Sequence, residues 1–202
     1  MHDDRNIIEA RIDRVFNERV RGLQFGPSLD LDVTAWEVPG EPVPVTEALD
    51  ATFEPFTIGG PFARPWGTTW FRLEATIPEA WAGEHVQIEI HLAYSDMPGF
   101  TSEGLLWRRV TGDDGTGDGE WVPWRGIHPA AHHVTVAAPA AGGERIELLL
   151  EAASNPSIIE GRPDRNSDLD TAGTSPIHRL AAARLVVRDD ELHALVHDVL
   201  VV

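Results

Sequence analysis

In residues 85–93, HVQIEIHLA, polar Gln87, Glu89 and His91 alternate with apolar Ile88, Ile90 and Leu92. Successive side chains of a strand point to opposite faces, so this period of two predicts a strand with one wet face and one buried face. Arg145, Ile146, Glu147 and Leu148 repeat the alternation. Two such half-buried sheets bury their apolar faces by closing on each other, which predicts a sandwich.

Outward from this stretch the texture is the same. Beyond Gly22, Pro and Gly recur every few residues, and the runs between them are short and rich in Val, Ile, Trp and Phe. Strands are expected near Asp32 to Val38, Thr68 to Ile77, His85 to Ala93, Gly104 to Val110, His133 to Ala137, Arg145 to Ala152 and His178 to Val187. The run TGDDGTGDGE, from Thr111 to Glu120, contains the tight-turn pair Asp114-Gly115 and reads as an exposed hairpin tip.

Helices are expected only at the ends. Ile8, Ile12, Val15 and Phe16 recur at helical spacing after Asp3 or Asp4, which can cap, and before Gly22, which can stop the helix in a left-handed turn. The stripe they form is expected to cover a sheet face of this domain, the alternative being that it docks on a neighbouring domain or subunit. Asp189 and Asp190 can cap a second helix, with Leu192, Leu195, Val196 and Val199 on one side. That stripe is unfinished at Val202, which is the expectation for a piece of a longer polypeptide. The division is thus residues 1–22 as an amphipathic helix, 23–188 as a β-sandwich, and 189–202 as the start of a helix leading to a further domain.

Composition narrows the chemistry. The 202 residues carry 33 acidic and 16 basic side chains, a formal net charge of -17, and this field repels nucleic acid and anionic membranes. Without cysteine there are no disulfides, thiolate metal sites or cysteine nucleophiles. The polar start, Met1 to Arg5, has no signal-peptide core, so a cytoplasmic protein is expected. No phosphate-cradling glycine loop with Lys, GxSxG elbow or HExxH occurs.

Three groups of residues invite a functional reading. Trp107, Trp121 and Trp124 offer the flat faces on which sugar rings stack, although indoles equally fill a core or an interface. His128, His132 and His133 are weak candidates for a shared metal, because Pro129 and the β-type run after it turn alternate side chains apart; surface or packing histidines are the plainer reading. Asp113, Asp114, Asp118 and Glu120 are hard oxygen donors, but their spacing departs from the twelve-residue calcium loop and fits a solvated turn.

Three landmarks occur in order along the chain, PWGTTWF at Pro65 to Phe71, EGLLW at Glu103 to Trp107 and EAASNP at Glu151 to Pro156, and together they resemble the N-terminal region of glycoside hydrolase family 38 α-mannosidases of bacterial and fungal vacuolar type. PWGTTWF, from Pro65 to Phe71, with Ile77, Pro78 and Trp81, is similar to the family's strand entry and the turn after it. Glu103 to Trp107, Asp114-Gly115 and Gly126-Ile127-His128 resemble its "EGLL", "DG" and "GIH" segments, with an expanded tip from Thr116 to Trp124. Glu151 to Pro156 resembles "EAAANP", and Arg179 to Asp198 looks like the closing strand and first helix beyond.

The resemblance covers most of residues 23–202. It implies a mainly β, jelly-roll-like antiparallel β-sandwich (galactose-binding-like) with an N-terminal helix and the start of a C-terminal one. It implies also a parent that is a retaining exo-acting α-mannosidase, whose nucleophile and zinc-type divalent metal belong to a later α/β-barrel. No catalytic residue, cofactor or metal ligand transfers to this chain. The implied partners are that catalytic domain, a second copy of the chain, and mannosides at a cleft rim for which Trp121 and His128 are the candidates. The competing readings are an independent carbohydrate-binding module on Trp107, Trp121 and Trp124, and a small metal-dependent enzyme on His128, His132 and His133.

Overall fold

The computed structural model describes residues 4–92, 102–110, 119–128, 131–156 and 173–201. Twelve strands and three α-helices occur among them. In chain order they are α1 (Arg5–Val15), β1 (Phe25–Asp30), β2 (Asp32–Glu37), α2 (Val45–Asp50), β3 (Glu54–Pro55), β4 (Pro61–Phe62), β5 (Thr68–Thr76), β6 (His85–His91), β7 (Glu103–Val110), β8 (Glu120–Ile127), β9 (His133–Ala137), β10 (Arg145–Ala153), β11 (His178–Arg179), β12 (Ala182–Arg188) and α3 (Asp190–Val201).

Two antiparallel sheets form the sandwich. One has the order β1-β12-β6-β9, the other β3-β2-β5-β10-β7-β8, and β11 pairs separately with β4. Between them lies one core, to which β6 contributes Val86, Ile88 and Ile90, β12 Leu185, and the opposite sheet Phe71, Leu73, Leu106 and Leu150. The alternation in residues 85–93 is thus realised, with its apolar members inward and Gln87, Glu89 and His91 on the other face. Residue 93 and the acidic tip from Thr111 to Asp118 lie outside the described residues.

The larger sheet is covered on both faces. Trp70 and Leu149 point away from the main core into a second cluster with Val38 and Ala48, closed by Val45 and Leu49 of α2 and by Phe53. This explains the unbroken apolar run Leu148-Leu149-Leu150 on β10, a central strand flanked by β5 and β7. Sequence periodicity missed α2, which is only six residues long. It also missed β8, whose Pro123 and Gly126 read as loop; β8 is an edge strand, where a proline without an N–H costs no ladder bond.

The N-terminal end of the chain corrects three expectations. Helix α1 buries none of its residues, and Ile8, Ile12 and Val15 are all more than half exposed, so its stripe does not cover a sheet of this domain. Gly22 does not stop it in a left-handed turn. The chain continues through a π-helical turn, Phe16–Val20, and a 3-10 turn, Arg21–Gln24, before Phe25 becomes extended. Asp4 receives the Ile7 and Ile8 amides on its carbonyl rather than its carboxylate. Asp189, by contrast, caps α3 through its side chain, accepting from the Leu192 amide at 2.9 Å.

Candidate functional site

The tryptophans are placed by the hairpin β7–β8. A bulge between Leu106 and Trp107, opposite Arg125 and Pro123, leaves Trp124 as the extra residue. Trp107 and Trp121 pack into the second cluster, with Trp107 tilted against Trp70 at 5.9 Å between ring centroids. Trp124 packs against the main core instead. The three rings therefore do not share one face of the sheet. The Arg109 guanidinium lies over Trp121 and that of Arg108 over Trp124, each at 5.3 Å. His128 is exposed just past β8, its backbone bridged to Ala131.

One exposed indole stands outside the predicted group. Trp66, in the PWGTTWF landmark, is 56% exposed at φ 64, a left-handed conformation rare for a bulky side chain. Its amide donates to the Ser154 carbonyl at 2.9 Å, which fixes the turn.

The histidines converge more than the sequence predicts. His132 stands just before β9, outside the alternation, so it does not turn away from His133; their ring centroids are 4.5 Å apart. His133 lies directly across from Glu89 in the β6–β9 register. Glu89, His132 and His133 each place a ligand atom within 4.8 Å of the other two, and His128 is not in this group. Glu89 is the member that spacing could not find, because its neighbours come from a strand more than forty residues away. The only sequence signal was its place on the polar face of β6.

The surroundings of this trio are built from both ends of the chain. An open groove of about 700 Å³ runs beside it, lined by Arg21, Gln24, Phe25, His132, His133 and His193 among others. Phe25 stacks on His133 at 4.3 Å with the rings 6° from parallel. The Arg184 Nε donates to Glu89 Oε2 at 2.6 Å. His193 on α3 donates from Nδ1 to the Gln24 amide oxygen at 2.8 Å, since that oxygen can only accept. Burial lowers the His133 pKa to about 4, helped by the charge of neighbouring His132 and opposed by Glu89. Burial likewise lowers His193, with Arg188 adding to the effect. Both rings are therefore neutral at pH 7.

Comparison with known proteins bears on the whole chain rather than on this groove. The family description "Alpha-mannosidase, jelly roll domain" matches residues 27–186. Human alpha-mannosidase 2C1 is 31% identical over 183 residues, 89% of this chain and 16% of that protein. The mouse alpha-mannosidase 2C1 is 27% identical over 183 residues, 89% of this chain and 15% of that protein. The chain thus spans about a sixth of the length of these relatives. A beta-glucuronidase structure from Faecalibacterium prausnitzii aligns over 81% of this chain and 32% of that chain, at 15% identity and a TM-score of 0.36. Among the described residues no helix is long and apolar enough to cross a membrane.

Proposed function

Because the chain belongs to the alpha-mannosidase jelly roll domain family, we propose that it is the non-catalytic domain of a cytoplasmic, retaining exo-acting α-mannosidase and that it docks on the catalytic domain. The observation that carries this reading is the pair of unpartnered apolar helix faces. Ile7, Ile8, Ile12 and Val15 on α1 are each more than half exposed, and Leu195 and Val199 on α3 are 49% and 44% exposed. Leaving such a stripe in water forgoes roughly 25 cal/mol for each Å² that a neighbour would cover. On this reading the zinc-type metal and the nucleophile act in the catalytic domain, and substrate specificity is set there.

A chimera tests the proposal: human alpha-mannosidase 2C1 with its aligned segment replaced by this chain, assayed on a nitrophenyl α-mannoside. The chimera is expected to hydrolyse the substrate, and Ile8→Asp with Ile12→Asp is expected to abolish activity while the isolated variant chain keeps its far-UV circular dichroism. Hydrolysis by the isolated chain, or a chimera indifferent to the two aspartates, would overturn it. Saturable binding of α-mannosides by the isolated chain would favour an independent carbohydrate module instead.

A further inference from the structure

Two imidazoles and one carboxylate, with a fourth position left for water, are the donors that a zinc-type ion takes, whereas calcium and magnesium prefer shells of oxygen. Glu89, His132 and His133 supply that set, with their ligand atoms within 4.8 Å of one another. They come from β6, from the residue preceding β9, and from the first residue of β9. We propose that Glu89, His132 and His133 bind one divalent transition-metal ion of the zinc type, which clips edge strand β9 to its neighbour β6.

The geometry is close to competent. Bonds of about 2.0–2.1 Å place tetrahedral ligand atoms about 3.4 Å apart, so the trio closes by roughly 1 Å on binding. The His133 Nε2 to Glu89 Oε2 distance of 4.0 Å sets the scale of that movement, which rotation about the glutamate side-chain bonds supplies without shifting a strand. The groove beside the rings gives an ion a path from solvent.

The neighbours hold the ligands in place. Phe25 fixes the plane of His133 by stacking. Arg184 donates to Glu89 Oε2, the oxygen that lies 4.0 Å from His133 Nε2, the kind of outer contact that orients a ligating carboxylate. A net charge of -17 favours the approach of any cation. The site is structural on this view: the ion binds the folded chain and stabilises it by mass action. It does not depend on the docking role proposed above.

The test is titration of the 202-residue chain with zinc chloride by calorimetry and with cobalt chloride by visible absorption. One saturable equivalent is expected, with tetrahedral-type cobalt bands and a zinc-dependent rise in Tm. Glu89→Gln and His132→Gln should each weaken binding about tenfold or more, and His197→Gln should leave it unchanged. The cobalt spectrum of the unmodified chain needs no variant, and circular dichroism confirms the fold of the others. A flat titration would overturn the proposal. So would an isotherm that survives in the His132→Gln, His133→Gln double variant, which would place the ion on His193 and His197, one turn apart on α3.

Discussion

The Ser154 amide donates to the Gly67 carbonyl at 2.9 Å, and the Trp66 amide donates back to the Ser154 carbonyl at 2.9 Å. This reciprocal pair joins two landmarks more than eighty residues apart in sequence at the start of β5 and the end of β10. It extends the β5–β10 ladder, which runs in unbroken register from Arg145 opposite Thr76 to Ala153 opposite Thr68.

Gly67 owes its identity to crowding at this junction. A Cβ there would stand 2.9 Å from the Arg64 carbonyl oxygen and 3.1 Å from the Ala63 Cβ, with no flexible tip to give way. Gly67→Ala should cost about 1–3 kcal/mol in urea unfolding. Gly22→Ala, with nothing within 4 Å of its added methyl group, should stay within about 0.5 kcal/mol of the parent.

Leu150 and Ile12 separate burial from hydrophobicity. Leu150 has no exposed surface in the main core, and Leu150→Ala should destabilise by about 2–5 kcal/mol. Ile12 is 57% exposed on α1, and Ile12→Ala should change the stability of the isolated chain by less than about 0.5 kcal/mol. Thermal unfolding of both variants checks the contrast.

Helix α3 depends on its cap. Asp189 satisfies the Leu192 amide, and Asp189→Ala should cost about 1 kcal/mol. Asp189→Asn keeps an accepting oxygen and should restore most of the loss, measured by the urea midpoint.

Acid should weaken the fold through His133. Its folded pKa, about 4, lies below its ordinary value of 6.5. Above pH 6.5 both states are neutral at this site and it contributes no pH dependence. Between 6.5 and 4 the unfolded chain takes up a proton that the folded chain refuses, so stability falls as pH falls. His178 and His193, also lowered by burial, act in the same sense. Glu151, raised by burial, acts in the opposite one, its strain being relieved as it protonates. From pH 7 to pH 5 the His133 contribution should be on the order of 1 kcal/mol, reduced from the full linkage value by partial solvent contact. Urea midpoints across this range should slope less steeply for His133→Gln.

The strands with alternating or apolar runs were legible one by one, including β5, β6, β7, β9 and β10. Those that lacked the pattern were not. β8 was hidden by Pro123 and Gly126, and β1 by Gly26 and Pro27, because local signals of turn outweigh weak alternation in an edge strand. The tryptophans were legible as a group but not as two groups. Trp121 and Trp124, three residues apart, fall on opposite faces once β8 is extended, and that strand was the one Pro123 and Gly126 concealed.

By itself the sequence determined the class of the fold, the polar face of β6, the capped C-terminal helix and, through its landmarks, the family, because each is written in local periodicity or contiguous motifs. Only the tertiary structure decided that α1 stands apolar in solvent, that Trp107 and Trp121 gather with Trp70 and α2 in a second cluster, and that Glu89 meets His132 and His133. Those are relations between segments far apart in the chain, set by strand register and packing, and a one-dimensional pattern does not contain them.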